Sequence, residues 1–205
     1  MPTEAQTSLQ KQRKQLTVDA LIAAAQRGMK QRGLEVTVDH VAALAGASRR
    51  TVFRHFETRE ALLETALAAT MADFARSLPE YTSGDWVAWL EEVAKLAHEA
   101  SAEWSWLVWD LYGPRVTSRL APYADASTRR WAETASKLWK AAGGDGAAPL
   151  QLEAVVVAHM GPLFTQAVLV HAGGTPELAA KLATEAIVST LRESLSGRSA
   201  ARGPR

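Results

Sequence analysis

The sequence contains no cysteine, so neither a disulfide framework nor a thiolate metal site is available to it. It also has no apolar stretch of the roughly 20 residues that a membrane span requires, because charge, glycine or proline interrupts each apolar run. No apolar segment near residue 1 has the character of a signal peptide. We therefore expect a cytoplasmic protein with no membrane partner, which suits a chain without cysteine.

Motifs of the common enzyme classes are also missing. The sequence has no Gly-rich phosphate loop, no HExxH and no serine elbow of the form G-x-S-x-G. Glu91, Glu92 and His98 share one predicted helix, but their spacing does not gather three metal ligands, and a solvated helix face explains them. We therefore expect a protein that is not an enzyme, with no catalytic residue, no metal and no cofactor.

The chain carries little net charge, +1 over 205 residues, but the charge is unevenly distributed. Residues 1–60 contain ten Lys or Arg and six Asp or Glu, whereas residues 61–205 contain thirteen and sixteen. The first segment is therefore at +4 and the second at −3. A basic N-terminal segment is typical of a nucleic-acid-binding head, although many proteins with such a charge bind no DNA.

Apolar residues recur at helical spacing along most of the chain, and no segment alternates with period two, which predicts an all-α fold. Thr17 should cap the first helix, and Gly161-Pro162 should kink the eighth. Residues 1–15 are predicted to form a flexible arm and residues 198–205 a disordered tail. The predicted helices cover residues 17–32, 38–45, 49–54, 60–77, 85–101, 103–112, 122–142, 151–171 and 176–196.

Residues 38–57 have the spacing of a helix-turn-helix. Ala42 is small enough for a second helix to cross closely, Gly46 tolerates the positive φ of a tight turn, and Val52 returns an apolar side chain to the core. We therefore predict a three-helix DNA-binding head in residues 1–60, whose second short helix lies in the major groove. The alternative is a three-helix core without DNA contacts.

The exposed side of that second helix is predicted to contact DNA. Arginine can bond guanine edges with two hydrogen bonds, and threonine can meet a thymine methyl group. The free N–H groups at a helix N-terminus can hold a phosphate. The alternative is a solvated basic surface. The predicted contacts on this helix are Arg49, Arg50, Thr51, Arg54 and His55.

The run TVDHVAALAGASRRTVFRHFETREALL, residues 37–63, resembles the DNA-binding head of the TetR family of bacterial regulators. The similarity covers roughly residues 15–65, and its most specific part is the run from Phe53 to Phe56 followed by Arg59. The resemblance implies that Arg59 opens the next helix and holds a phosphate. It also implies that the hydroxyls of Thr37 and Ser48 cap helices and reach the DNA backbone.

Phe53 and His55 have expected roles that differ from those of the other residues in that run. Family members usually have tyrosine where Phe53 stands, and the tyrosine hydroxyl contacts phosphate. Phe53 lacks this hydroxyl, so we expect it to pack only. His55 either donates to a phosphate or caps its helix, and Phe56 is expected in the core.

The resemblance also implies a function. TetR-like proteins form homodimers through their last two long helices, bind near-palindromic operators in double-stranded DNA, and repress promoters. Most release DNA when a small molecule enters the C-terminal domain. We therefore expect a ligand-responsive repressor. A regulator without a small-molecule ligand, and an activator, stay open as alternatives.

Residues 61–197 are predicted to form a larger helical domain for ligand binding and dimerisation. All seven tryptophans follow residue 80, and the segment EWSWLVWDLY, residues 103–112, is apolar on every side. Such a segment is expected to be buried between other helices, where a pocket for a small hydrophobic or aromatic effector can form. The predicted lining residues are Trp89, Trp104, Trp106, Trp109, Asp110, Tyr112, Trp131 and Phe164.

Two alternatives accompany this pocket. The tryptophans could instead be solid core, and the carboxylate of Asp110 could pair with Arg115 or Arg129 rather than with a cationic ligand. His159 and His171 are interpreted as an interface or core histidine and a helix-end histidine, with ligand contact as the alternative.

The last two predicted helices each present an apolar face, and two such helices per subunit can form a four-helix interface. The alternative is packing within one chain. The predicted interface residues are Leu152, Val155, Val156, His159, Leu163, Leu178, Leu182 and Leu191.

Overall fold

The computed structural model describes the backbone of residues 4–105, 108 and 121–201, and the side chains of residues 8–105, 108 and 122–197. Over these residues the structure is helical and contains no strand, which confirms the predicted all-α class. The helices are α1 (Glu4–Arg32), α2 (Val38–Leu44), α3 (Arg49–His55), α4 (Arg59–Ser77), α5 (Trp86–Glu103), α6 (Ala121–Ala141), α7 (Leu150–Met160), α8 (Pro162–Gln166) and α9 (Pro176–Ala201). A 3-10 turn, Gly33–Glu35, follows α1, and a π-helical turn, Ala167–His171, follows α8.

The contacts divide the chain into two compact units, Met1–Asp73 and Phe74–Arg205. We call them the head and the C-terminal unit. Helix α4 contributes residues to both units, because it runs from Arg59 to Ser77. The predicted boundary at residue 60 differs from this division, since Leu62, Leu63, Ala66 and Leu67 of α4 are buried in the head.

Helix α1 begins at Glu4, so the flexible arm predicted over residues 1–15 is wrong for residues 4–15, and Thr17 is not the N-cap. Thr17 lies inside the helix, and its hydroxyl donates to the carbonyl of Arg13 at 2.9 Å. The described side chains from Ser8 to Leu16 are all exposed. The sequence offered little to bury there, but residues 4–16 contain no glycine or proline, and intrinsic helix propensity extends the helix without tertiary packing.

The C-terminal helix is also longer than predicted. Helix α9 continues through Gly197 to Ala201, so the disordered tail predicted from residue 198 is wrong for residues 198–201. Residues 202–205 lie outside the described part of the chain. A glycine inside a helix costs only about 1 kcal/mol relative to alanine, which is too little to end this one.

The helix predicted over residues 151–171 is broken rather than kinked. Gly161 has φ −73° and ψ 150°, an extended conformation that ends α7 and caps the short helix α8. A residue before proline is driven out of the α region by the proline ring, and Pro162 follows Gly161. The two helical segments meet at a bend of 51°.

The core of the head is formed by α1 to α4. Its largest fully buried side chains are Leu21, Met29, Leu62 and Leu67. Polar contacts join the helices around this core: Arg27 of α1 donates to the carbonyl of Leu44 at the end of α2 at 3.0 Å. The side chains of His40 and Gln31 also approach to 3.0 Å.

The C-terminal unit has a separate core, built from α5, α6, α7 and α9. Trp131 and Trp139 of α6 are buried in it, together with apolar residues that recur at helical spacing on the other three helices. These residues include Leu90, Val93, Leu138, Leu152, Val156, Met160, Ile187 and Leu191.

Candidate nucleic-acid interface

The turn between α2 and α3 has the geometry that the sequence predicted. Gly46 adopts φ +62°, and the amide of Ala47 donates to the carbonyl of Ala42 at 2.9 Å. Ala42 is 5% exposed and Val52 only 1%, so the close crossing and the return to the core are both confirmed. Helix α3 is thereby held against α2 by its buried side while its other side stays exposed.

Gly46→Ala is expected to destabilise the head by about 1–2 kcal/mol, because alanine is strained at positive φ. A Cβ at this position would meet no atom within 4 Å, so conformational strain is the only cost. Urea unfolding followed by circular dichroism measures the loss. The control is Gly46→Asn, which tolerates the left-handed region and should lose less. Equal stability of wild type and Gly46→Ala would contradict the turn geometry.

Hydroxyl groups cap both short helices of the motif. The Thr37 hydroxyl accepts from the amide of His40 at 3.2 Å, and the Ser48 hydroxyl accepts from the amide of Thr51 at 3.1 Å. The hydroxyls of Ser48 and Thr51 also lie 2.9 Å apart. The capping positions of Thr37 and Ser48 are thus confirmed, while DNA contacts by Thr37, Ser48 and Thr51 stay predictions.

The exposed side of α3 is basic and partly apolar. The guanidinium of Arg49 lies 3.1 Å from a carboxylate oxygen of Asp39 and 5.5 Å from the ring centroid of Phe53. Both members of the Arg49–Asp39 pair are mostly exposed, at 63% and 69%, so the pair adds little stability and a competing anion can replace Asp39. Arg50 and Arg54 are exposed.

Two placements on α3 differ from the sequence interpretation. Phe53, expected to pack only, is 41% exposed and offers an apolar surface beside Arg49. Asp39 was not singled out from the sequence, because its partner lies ten residues away on another helix. Phe56 is 8% exposed and belongs to the core, as expected.

Arg59 has a structural role in the head. Its Nε donates to the carbonyl of Val36 at 2.8 Å, a second nitrogen donates to the carbonyl of Leu34, and a third lies 3.2 Å from a carboxylate oxygen of Glu60. Arg59 therefore ties the start of α4 to the turn before α2. The phosphate contact implied by the resemblance stays a prediction, and these donors already have partners.

His55 ends α3 and lies partly buried. Both of its ring nitrogens are covered, and neither has a hydrogen-bond partner among the described residues. Burial lowers the pKa of His55 below its usual 6.5, and the charges of Arg54 and Lys14 lower it further. The ring is therefore neutral near pH 7 in the free protein.

The residues predicted to line an effector pocket fall into two groups. Trp106, Trp109, Asp110 and Tyr112 lie outside the described residues, as does Arg115. The other four, Trp89, Trp104, Trp131 and Phe164, lie in the described part of the C-terminal unit. Trp104 is half-buried at the end of α5, and Trp131 is buried in the core with its ring centroid 6.3 Å from that of Phe74.

Trp89 and Phe164 are the other two described members of the predicted pocket. The indole nitrogen of Trp89 donates to the carbonyl of Pro79 at 2.9 Å, and its ring packs on Tyr81 with centroids 5.4 Å apart. Phe164 is half-buried and contacts two histidine rings, those of His98 and His159, at centroid distances of 5.9 Å and 4.8 Å. A pocket formed jointly by all eight predicted residues stays a prediction.

His98 is fully buried, so the interpretation of this residue as part of a solvated face is wrong. Its Nδ1 lies 2.7 Å from the hydroxyl of Thr165, and its Nε2 is buried without a hydrogen-bond partner in the described structure. Burial, with a smaller contribution from His159, lowers the pKa of His98 to about 4. The sequence did carry a signal, since His98 follows Leu90 and Ala94 at helical spacing on the apolar side of α5.

The predicted interface residues also fall into groups, which are fully buried, half-buried or exposed. Leu152, Val156 and Leu191 are fully buried within one subunit, so their assignment to a dimer interface is wrong. Val155 and His159 are half-buried, and the Nδ1 of His159 lies 2.9 Å from the carbonyl of Val155. Leu163, Leu178 and Leu182 remain available, with 46%, 40% and 40% of each residue exposed.

The described residues offer no three-ligand metal site and no single membrane-spanning helix. No group of three His, Asp or Glu side chains there could hold a metal ion. No single described helix is long and apolar enough to cross a membrane, and one bent pair, Leu150–Met160 with Pro162–His171, passes by length and composition.

Comparisons with known proteins agree with the geometry of the head. Residues 21–66 match the family model for bacterial regulatory proteins of the tetR family. No curated protein matches the chain significantly.

Solved structures share the fold over most of the chain. A TetR-family transcriptional regulator from Streptomyces coelicolor is 23% identical, with a TM-score of 0.72 and coverage of 92% of this chain and 83% of its own. A transcriptional regulator from Rhodococcus sp. Rha1 is 22% identical, with a TM-score of 0.70 and coverage of 86% and 96%. The head therefore matches the tetR family model over residues 21–66 and carries a helix-turn-helix, and the chain as a whole shares its fold with these transcriptional regulators.

Proposed function

We propose that the protein is a repressor that binds a near-palindromic operator as a homodimer and is released by a small hydrophobic or aromatic molecule. The observation that carries the DNA-binding part is the position of α3. The Gly46 turn and buried Val52 hold this helix against the head, while Arg49, Arg50 and Arg54 stay exposed on it. An exposed basic helix of this kind suits the major groove.

Dimerisation is supported by exposed apolar side chains near the end of the chain. Leu163 of α8, Val170 of the π-helical turn, and Leu178 and Leu182 of α9 are 40–61% exposed. Exposed apolar surface is costly in water, and covering it with the same surface of a second copy would remove that cost. We therefore assign the interface to these four residues.

An effector site is supported by unpartnered polar atoms in the C-terminal unit. The Nε2 of His98, the Nε2 of Gln166 and the indole nitrogen of Trp131 are all buried without hydrogen-bond partners in the described structure. Leaving such groups unpaired costs about 1–3 kcal/mol each. Because the amide and indole nitrogens can only donate, we infer an aromatic effector that carries a hydrogen-bond acceptor.

Coupling between effector and DNA requires an element shared by the two units, and α4 has residues in both. The effector must favour the released conformation by several kcal/mol to empty the operator. Movement of α4 would change the spacing of the two recognition helices, which must match major grooves about 34 Å apart. The alternatives are a regulator without a ligand and an activator. The change that a candidate effector causes in DNA binding distinguishes them from the proposed repressor.

Selection from a random duplex library tests the DNA-binding part. The full-length protein should enrich a sequence with two related half-sites whose centres lie about 10 base pairs, or a multiple of that distance, apart. Analytical ultracentrifugation of the complex should give two chains per duplex. A library with no enriched sequence after repeated rounds would contradict the proposal.

Matched aromatic compounds test the effector class. We expect acetophenone to bind about 2–10-fold more tightly than ethylbenzene, because one added hydrogen bond contributes about 0.5–1.5 kcal/mol. Tryptophan fluorescence measures binding, and release of the selected duplex measures the response. In Gln166→Leu, which removes one of the unpartnered donors, the ratio of the two affinities should fall toward one. A broad panel of such pairs that never weakens DNA binding would favour the regulator without a ligand.

A further inference from the structure

The head contains a basic cleft that lies between α1 and the last turn of α3. Its volume is about 390 Å³, and Arg13, Lys14 and Thr17 of α1 face Arg54 and His55 of α3 across it. Arg54 and His55 were predicted to contact DNA, whereas Arg13 and Lys14 were assigned to a flexible arm and Thr17 to a helix cap. The cleft is therefore a feature that the folded head creates from two distant segments.

The chemistry of the cleft suits an anion. Arg13, Lys14 and Arg54 bring three positive charges to it, and no carboxylate lines it. No acidic side chain pairs with any of the three in the described structure. The His55 ring adds two covered nitrogens without a hydrogen-bond partner among the described residues. A ligand with several acceptor oxygens would accept from the three cations and from a His55 N–H group, and it would reduce the repulsion among the cations.

The position of the cleft favours DNA as the source of that anion. Helix α3 has seven residues and is therefore about 10 Å long, close to the major-groove width of about 12 Å. When the exposed side of α3 lies in the groove, the end that carries Arg54 and His55 comes near a strand that borders it. The cleft then opens beside a backbone phosphate.

The helix dipole explains why α1 is needed. The C-terminal end of α3 carries partial negative charge, which by itself repels a phosphate. Arg54 and His55 compensate this end, and Arg13 and Lys14 supply the excess of positive charge. The early start of α1 at Glu4 therefore has a consequence, since a chain that became helical only at Thr17 would not position these two cations.

We propose that the cleft lined by Arg13, Lys14, Thr17, Arg54 and His55 binds one backbone phosphate of the operator, next to the groove that α3 enters. This inference rests on the proposed DNA-binding function and adds a second contact surface to it. The contact is independent of base sequence, so it strengthens specific and non-specific binding alike.

Lys14→Gln tests the proposal. We expect affinity for the selected duplex to fall about 3–10-fold, and the slope of log affinity against log salt to decrease by about one. Non-specific duplex should lose affinity by the same factor. Arg32→Gln is the matched control, because this exposed residue ends α1 far from the cleft and should change neither quantity.

A duplex with a single neutral methylphosphonate identifies the phosphate itself. At one backbone position per half-site, the neutral linkage should weaken wild-type binding as much as Lys14→Gln does. Combining that linkage with Lys14→Gln should cause no further loss, because both changes remove the same contact. This non-additivity distinguishes a DNA phosphate from free phosphate, which no change in the duplex would affect.

The pH dependence of binding reports on His55. Its pKa in the free head lies below 6.5 because of burial, Arg54 and Lys14, and Arg13 adds a further cation in the same cleft. A bound phosphate raises this pKa, so complex formation takes up a proton between the two values. Wild-type affinity should therefore rise as the pH falls from 8 toward 6, and His55→Gln should reduce that rise.

The outcomes separate this proposal from the function on which it rests. If wild type selects no duplex, the proposed function fails. If wild type binds its operator and Arg50→Ala weakens binding, but Lys14→Gln keeps wild-type affinity and salt slope, the phosphate cleft is wrong. Additive losses for Lys14→Gln and every methylphosphonate position would also overturn it. Unchanged circular dichroism of each variant shows that the head remains folded.

Discussion

Arg50→Ala is expected to lower affinity for the selected operator by about 5–150-fold, which corresponds to about 1–3 kcal/mol. Arg50 is exposed on α3, and no partner holds its side chain in the described structure. Its neighbour Arg49 pairs with Asp39, so Arg50 is the better candidate for a bidentate contact to guanine. Fluorescence anisotropy of a labelled duplex at one salt concentration measures the change.

A base contact and a general loss of charge have different consequences. If Arg50 reads a base, Arg50→Ala should lose much more affinity for the operator than for a scrambled duplex. The charge-matched control is Lys181→Ala, in which an exposed lysine of α9 is removed from the C-terminal unit. Equal affinities of wild type and Arg50→Ala would remove Arg50 from the interface.

Gly144→Ala is expected to destabilise the C-terminal unit by about 1–3 kcal/mol, the usual cost of overpacking. A Cβ on Gly144 would lie 2.1 Å from the Cε2 atom of Trp139, whose side chain is only 1% exposed. The ring has little room to move, because its indole nitrogen donates to the carbonyl of Asp145 at 3.2 Å. Gly144 itself donates to the carbonyl of Trp139 at 2.8 Å.

Urea unfolding followed by tryptophan fluorescence measures this change. Gly197→Ala is the control, because a Cβ there would meet nothing within 4 Å and the residue lies inside α9. Alanine in an open helical position should stabilise slightly, by about 0.5–1 kcal/mol. If Gly144→Ala were as stable as wild type, the close packing of this loop on Trp139 would be incorrect.

The head could be predicted in detail because its determinants are local. Ala42, Gly46 and Val52 lie within eleven residues, and each has a role that a single helix crossing dictates. The capping residues Thr37 and Ser48 act on amides three residues later. Such short-range relations can be read from spacing alone.

Contacts between distant segments could not be predicted in this way. The pair formed by Arg49 and Asp39 joins two helices, and the basic cleft joins residues 13–17 to residues 54 and 55. No periodicity links positions so far apart. Fold geometry decides such contacts, because only the folded head brings these residues of α1 and α3 to one cleft.

The C-terminal unit shows a second limit. The apolar faces of α7 and α9 were correctly recognised, but Leu152, Val156 and Leu191 are covered by their own subunit. An apolar pattern shows that a face needs covering and does not show which chain covers it. His98 is a different case, since its spacing on α5 was visible and its polarity led to the wrong assignment.

Reading of bases by α3 is tested most directly by replacing each operator guanine in turn with 7-deazaguanine, which lacks the N7 acceptor of the major groove. At one guanine in each half-site, wild type should lose affinity about as much as Arg50→Ala does, and the variant should lose nothing further there. If the two losses add fully, Arg50 does not read that edge. If no guanine position weakens wild-type binding, the assignment of α3 to the major groove is contradicted.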